Sequence, residues 1–422
     1  MTWRNRGAAV ALAAVLVGGC STSTHRDNAS TSTHRDNAVS GSPVTSTPTA
    51  VTQAAARGVE AAIGTIPWTQ VGPGWLLATW SQVPGRRPGG DLSPGEPTPA
   101  TATSTLYLVD PAGGRYPITT FPPPGAGPSP TLADWSGDGT HALFYAYAPA
   151  PSGTYTVTTV DLRSGAQASF TIDNGANSFD VAARYSRPQG KAVLLAKSNG
   201  AEAGWLKRVD LAGRPELTYP VGRDFQGSYL ATPDGTQLVL GTAVGLALMG
   251  NDGTAGRTLP VTGEQDCAPT RWWNSTSTVV VARCSDHGLA RLWLVPISGE
   301  PPTALTAPLN GQGPDYGDLD AWQLPSDTFV QVAGACGSEY LGKLSTVGGT
   351  TTRVDVPDVD AGSSIRVIGP NAGHLVVQGR ASCGGGKALF DYDPAANTST
   401  VLLGPPLNGG GVIAALPHPG RG

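Results

Sequence analysis

Charge is scarce in this chain: Asp, Glu, Lys and Arg make up only 14% of its 422 residues, and the net charge is −4. The basic residues are scattered, so the clustered positive footprint of a nucleic-acid binder is missing and no nucleic-acid partner is expected. Beyond the first twenty or so positions no amphipathic helical stretch stands out, which argues against a helical fold. No CxxC or HExxH spacing occurs, which removes the common zinc signatures. No Gly-x-Ser-x-Gly elbow presents a nucleophile. What the chain does have is 57 Gly, 37 Pro and many Thr and Val, the composition of an all-β protein with many short strands and turns.

The N-terminus reads as an address. Arg4 and Arg6 precede a short apolar run, Ala8 to Val17, the length of a signal-peptide core rather than of a membrane span. The run ends in Leu16-Val17-Gly18-Gly19-Cys20, which resembles the bacterial lipobox: an aliphatic residue and two small ones before the cysteine that is lipidated. An ordinary secretory signal with a chance cysteine is the alternative. The resemblance implies a signal peptide over 1–19, cleavage before Cys20, and diacylglycerol and palmitate on Cys20. Each buried methylene of such chains contributes about 0.8 kcal/mol, which makes a stable anchor on the extracytoplasmic face of the cell membrane. Scarce lysine beside abundant Ala, Gly and Pro matches a GC-rich, actinobacterial-type source. The stretch STSTHRDNA (21–29) recurs letter for letter at 30–38. With no apolar face it cannot build a core, so 20–58 is expected to be a disordered tether. His25 and His34 belong to that duplication rather than to a metal pair.

From residue 59 to 418 the chain repeats itself. Trp135-Ser136-Gly137-Asp138-Gly139 precedes the apolar run His141–Ala148. The arrangement returns at Tyr185–Gly190, Ala231–Gly235, Trp273–Thr276, Leu324–Asp327 and Gly369–Gly373. A second signature, a strand ending in an Asp-x-x-Gly-type turn, follows each: LYLVDPAGG at Leu106, TVTTVDLRSG at Thr156, WLKRVDLAG at Trp205, and so on to LFDYDPAAN at Leu389. The spacing of roughly 40 to 50 residues is that of propeller blades. Seven copies of the second signature against six of the first favour seven blades over six or eight. The missing first turn is placed at Val71-Gly72-Pro73-Gly74, with Pro67–Gln70 as the inner strand before it. Asp and Gly suit these corners because Gly takes positive φ freely and Asp bonds its own backbone two residues on. Asp138 is therefore read as a turn residue and not as a reactive carboxylate.

The aromatic-Ser-x-Asp-Gly turn before an apolar strand resembles the β-propeller repeat of the TolB-like family, best at Trp135–Gly139 and at Thr232-Pro233-Asp234-Gly235. The resemblance covers about residues 60 to 416 and implies a propeller without implying an activity. No α/β domain precedes the repeats, and seven blades are counted where TolB would show six, so TolB's partners are not carried over. The spare segment Val412–Leu416 is expected to pair within the blade begun by residues 60–80 and so close the ring, removing exposed sheet edges.

Four cysteines remain besides Cys20, an even number in an exported chain. Cys267 and Cys284 flank a hairpin and should bridge. Cys336 and Cys383 lie just beyond the second strands of blades six and seven, and a second bridge is expected there; free buried thiols are the alternative. His141, His287, His374 and His418 are isolated and read as surface or turn residues. Trp272, Trp273, Trp293 and Trp322 are expected to pack between blades rather than to form a sugar platform. Pro84–Thr103, headed by Arg86-Arg87, reads as a long surface loop in the first blade.

One constellation points to a site. Asp134, Asp180, Asp224, Asp266, Asp318, Asp320 and Asp360 recur where inner strands should begin. They either converge on one channel mouth and hold a cation or basic ligand, or each cap its own loop, which their unequal offsets favour. In calcium-dependent propeller lactonases carboxylates so placed hold the metal. The leading expectation is a lipid-anchored propeller that binds an envelope protein or a cell-wall component, with no cofactor. The alternatives are a cation-dependent hydrolase or lactonase, with calcium on the channel acids, and a sensor of a small molecule or glycan.

Overall fold

In the computed structural model the described residues are 57–84, 94–125, 127–148, 153–173, 181–198, 204–286, 289–308, 317–346, 349–381, 385–404 and 410–420. Cys20, the expected lipidation residue, the expected tether up to residue 56, Asp180, His287 and Cys383 lie outside them.

Alternation sets the strands. In Thr154–Asp161, Tyr155 and Val157 point into a core while Thr156 and Thr158 are half-exposed, the period of a pleated strand. Ala192–Lys197 is instead buried at every position, and five consecutive residues are buried in His374–Arg380. A continuous apolar strand of this kind needs a sheet covered on both faces. The outermost strands, such as Ala255–Pro260, are mostly exposed.

These strands form seven four-stranded antiparallel sheets. Blade 1 holds residues 76–121 together with 411–417; blades 2 to 7 hold 131–173, 181–218, 225–260, 265–304, 318–353 and 366–403. Seven hydrophobic clusters lie between neighbouring sheets, one per interface. Trp135 and Phe144 of blade 2 meet Tyr116 and Phe121 of blade 1 in one of them, and Leu76 of blade 1 meets Leu389 of blade 7 in another. The ring is therefore continuous, a seven-bladed β-propeller. The first strands of blades 2 to 5 (Thr131–Trp135, Val181–Tyr185, Phe225–Ala231 and Gln265–Trp272) touch one another in succession, as strands lining a central channel must.

Closure comes from the C-terminus. Strand Gly411–Pro417 pairs antiparallel with Leu76–Ser81, from Leu76 opposite Pro417 to Ser81 opposite Gly411. The buried Gln378 amide donates to Val412 O at 2.8 Å, tying the strand to blade 7 as well. One expectation needs correction: Pro67–Gln70 is not the inner strand of blade 1, because Gly411–Pro417 holds that position. Residues 58–61 run along the other side of the sheet, where Glu60 bridges to Arg115. The Ala61 amide donates to Arg115 O at 3.0 Å in the same stretch.

Candidate functional site

The repeated Asp-Gly turns lie at the end of the ring where the inner strands finish. Asp138 Oδ1 accepts from Ser136 Oγ (2.6 Å), from the Thr140 amide (3.1 Å) and from Thr140 Oγ1 (2.7 Å). Asp234 repeats the circuit with Thr232 Oγ1 (2.6 Å), the Thr236 amide (3.0 Å) and Thr236 Oγ1 (2.9 Å). Burial pushes the Asp138 carboxyl up, but the hydrogen bonds from Ser136 and Thr140 outweigh it and leave it below the ordinary carboxylate range. The bond from Thr232 holds Asp234 low in the same way. Gly235 has φ 73°, and a Cβ there would meet Arg187 O at 2.0 Å, so glycine alone fits where this turn abuts blade 3.

The second Asp set also closes turns. Asp110 Oδ1 accepts from the Ala112 and Gly114 amides (both 2.9 Å), and Asp210 Oδ1 does so from Ala212 and Arg214 (both 2.9 Å).

The described inner-strand acids take separate partners. Asp134 Oδ1 pairs with Arg187 Nη2 at 3.0 Å and its Oδ2 accepts the Tyr185 amide at 2.8 Å, so it joins blade 2 to blade 3. Asp320 receives Arg271 Nε at 2.9 and 3.0 Å and Thr270 Oγ1 at 2.8 Å, joining blade 6 to blade 5. Asp360 accepts the Gly362 amide at 3.1 Å within its own turn. Asp224 and Asp266 are exposed, and Asp318 is buried at the start of its strand. Among the described residues no group of three or more His, Cys, Asp or Glu could hold a metal ion.

Aromatic residues at the ends of the inner strands also reach the preceding blade. Tyr185 OH donates to Ala142 O (3.0 Å), Tyr229 OH to Leu194 O (2.7 Å) and Trp272 Nε1 to Ala231 O (3.1 Å). Trp322 is buried, with the Arg271 guanidinium 4.2 Å above its ring. Trp273 and Trp293 are half-buried, with Arg291 4.8 Å above the Trp293 ring. His141 lies 3.9 Å from Asp161, and His374 Nδ1 lies 2.9 Å from Asp391. His418 packs edge-on against Trp135 with centroids 4.8 Å apart, and burial lowers its pKa. Cys267 and Cys284 are bridged across the hairpin of blade 5 and fully buried in the core between blades 4 and 5. Cys336 sits in a short 3-10 turn, Ala335–Gly337.

At the end of the ring where inner strands finish, a cavity of about 540 Å³ opens. Its walls come from the blade 2 turn (Gly137), Arg184 and Arg187 of blade 3, Asp234 of blade 4, and Arg271 and Trp272 of blade 5. The C-terminal residues Pro417 and Pro419 close one side. Three arginines line this mouth: Arg187 and Arg271 are paired with Asp134 and Asp320, while Arg184 has no carboxylate partner among the described residues. The sequence drew attention to acids because aspartates recur near the starts of the inner strands, though at unequal offsets; the arginines come from different positions of their blades and carry no shared motif. At the opposite end, where inner strands start, Thr131 and Gly411 border a second cavity of about 360 Å³. Pro99 and Ala102 of the long loop between Leu76–Ser81 and Ser104–Val109 also line it, while 85–93 lie outside the described residues.

No family model and no curated protein sequence matches the chain. Solved structures similar to it include a prolyl endopeptidase studied for inter-domain dynamics in catalysis and specificity, at 12% identity, covering 77% of this chain and 49% of that one, with TM-score 0.49. The chain thus spans about half the length of that enzyme. The β-propeller domain of the Trilobed protease from Pyrococcus furiosus, described as having an open velcro topology, is 11% identical over 72% of this chain and 91% of that one, with TM-score 0.45. TolB from Acinetobacter baumannii is 11% identical over 85% and 87% of the two chains, with TM-score 0.41. The seven-bladed assignment stands on the strand pairing of this chain itself.

Proposed function

We propose that this chain is a bacterial lipoprotein of the actinobacterial type. Cys20 would anchor it to the extracytoplasmic face of the cell membrane, and the propeller would serve as a binding module for an envelope protein or cell-wall component. The observation that supports the binding role is the channel-mouth cavity, whose walls are contributed by four successive blades and the C-terminal residues. A site shared among blades is rigid only if the ring is closed, and here it is, through Gly411–Pro417. Rigid scaffolds with concave mouths are where propellers and barrels place ligands. A cation-dependent hydrolase draws no support from the channel acids, since Asp134 and Asp320 already meet guanidinium groups.

The test has two arms. Cys20→Ala should move the protein from the membrane fraction to the soluble extracytoplasmic fraction; retention in the membrane would overturn the anchor. Chemical crosslinking of the anchored protein in intact cells, read by mass spectrometry, should capture a reproducible envelope component. Abundant crosslinks within the propeller without such a component would overturn the binding role.

A further inference from the structure

We propose that the channel mouth is an anion site, in which Arg184, Arg187 and Arg271 take the phosphate or carboxylate groups of a small organic ligand. The inference rests on the mouth being the binding face and adds the chemistry of what is bound.

The charge balance is the first support. Three guanidinium groups line one cavity; Arg187 and Arg271 are countered by Asp134 and Asp320, and the lining Asp234 is already engaged by Thr232 and Thr236, so Arg184 is the cation left without a carboxylate partner among the described residues. The second support is donor accounting. Arg271 gives Nε to Asp320, and neither of its Nη groups has an acceptor among the described residues. Arg187 uses Nη2 for Asp134 and Nη1 for Trp135 O, leaving Nε and the second hydrogen of each Nη. The Arg184 side chain makes no hydrogen bond or ion pair among the described residues and lies 5.9 Å from the Tyr229 ring centroid. Guanidinium forks match the oxygens of carboxylate and phosphate, and such charge-assisted bonds are the strong ones.

The third support is that two of these side chains are fixed before any ligand arrives. Arg271 is held between Asp320 and the Trp322 ring, and Arg187 is held by Asp134. Donors held in place lose little freedom on binding. The volume of about 540 Å³ exceeds the needs of an inorganic ion and suits a small organic molecule. Trp272, Pro188 and Pro233 supply apolar wall for its body.

The test uses the full anchored protein purified in detergent, titrated with citrate and with inorganic pyrophosphate at ionic strength held constant with sodium chloride. At least one anion should raise Tm by about 3 °C at near-saturating concentration. Citrate alone would assign carboxylate, pyrophosphate alone phosphate, and both an oxyanion site tolerant of either. Arg184→Gln should weaken the effective anion at least about tenfold with little change in the unliganded Tm, because the Arg184 side chain has no acceptor among the described residues and loses only its contact with the Tyr229 ring. Arg184→Lys should recover part of the affinity. The inference is overturned if neither anion at about 10 mM exceeds the salt control, if Arg184→Gln binds as the parent does, or if calcium stabilises where the anions do not. Partner capture at the mouth with no anion binding would remove the anion chemistry alone. Anion binding with capture only at the opposite end would remove the mouth as the partner face.

Discussion

Asp134 and Asp138 belong to one strand and the turn that follows it, yet they do different physical work. Asp138 closes its bonds inside the turn, on Ser136 and Thr140. Asp134 reaches the next blade, taking Arg187 and the Tyr185 amide. Asp234 and Asp320 repeat the contrast elsewhere in the ring. The first kind of carboxylate shapes a blade; the second holds blades in register. A propeller needs both, because each sheet can form locally but the channel and its mouth exist only when the sheets are assembled.

Contacts between blades should therefore cost more to break than contacts within one. The largest effect is expected from deleting residues 405–422. That removes strand Gly411–Pro417, opens a sheet edge in blade 1 and leaves the buried Gln378 amide without its acceptor. A loss on the order of 5 kcal/mol or more should lower Tm by roughly 10 °C or more; calorimetry showing an unchanged Tm would mean that the strand is dispensable. The covalent link within blade 5 is the instructive exception among local contacts. Cys267→Ala with Cys284→Ala should cost about 3 kcal/mol, the entropy of releasing a 17-residue loop, measured as a shift in the denaturant midpoint.

Next come the half-buried pairs. Asp320→Ala and Asp134→Ala should each cost about 2 kcal/mol, because each strands a guanidinium and, for Asp134, a buried amide. If either proves as mild as a surface pair, the distinction between the two kinds of aspartate fails. The smallest effect belongs to the turns. Asp138→Ala or Asp234→Ala should cost about 1 kcal/mol. Both carboxyls titrate lower in the folded protein than in the unfolded chain. Their contribution is therefore complete above the ordinary carboxyl range and is lost as pH falls through it. Asp138→Asn combined with Asp234→Asn should flatten the fall in stability below about pH 4, seen in Tm against pH.

The same contrast explains what the sequence revealed. Turn chemistry is local, so the Asp-Gly corners, the strands after them and the blade count were legible from residue spacing. The hairpin bridge Cys267–Cys284 was legible for the same reason, as was the pairing of the C-terminal strand, which had no other partner within its own repeat. Inter-blade contacts were not legible. Nothing in the neighbourhood of Asp134 announces Arg187, which lies four strands further along the chain. The inner strand of blade 1 was misplaced onto Pro67–Gln70 because local spacing cannot show that a distant segment occupies the position. The recurring acids left a cation site open beside the favoured loop-capping reading, and their inter-blade partners, like the arginines of the mouth, could be read only from the assembled ring.

The most direct test of the mouth as the binding face compares its two ends in one experiment. A photocrosslinking residue at Pro419, which lines the mouth, is set against one at Ile413, which lines the opposite cavity and is 53% exposed. In intact cells the mouth position should capture one envelope component reproducibly while Ile413 captures little. Capture from Ile413 alone, or equally from both, would contradict the assignment.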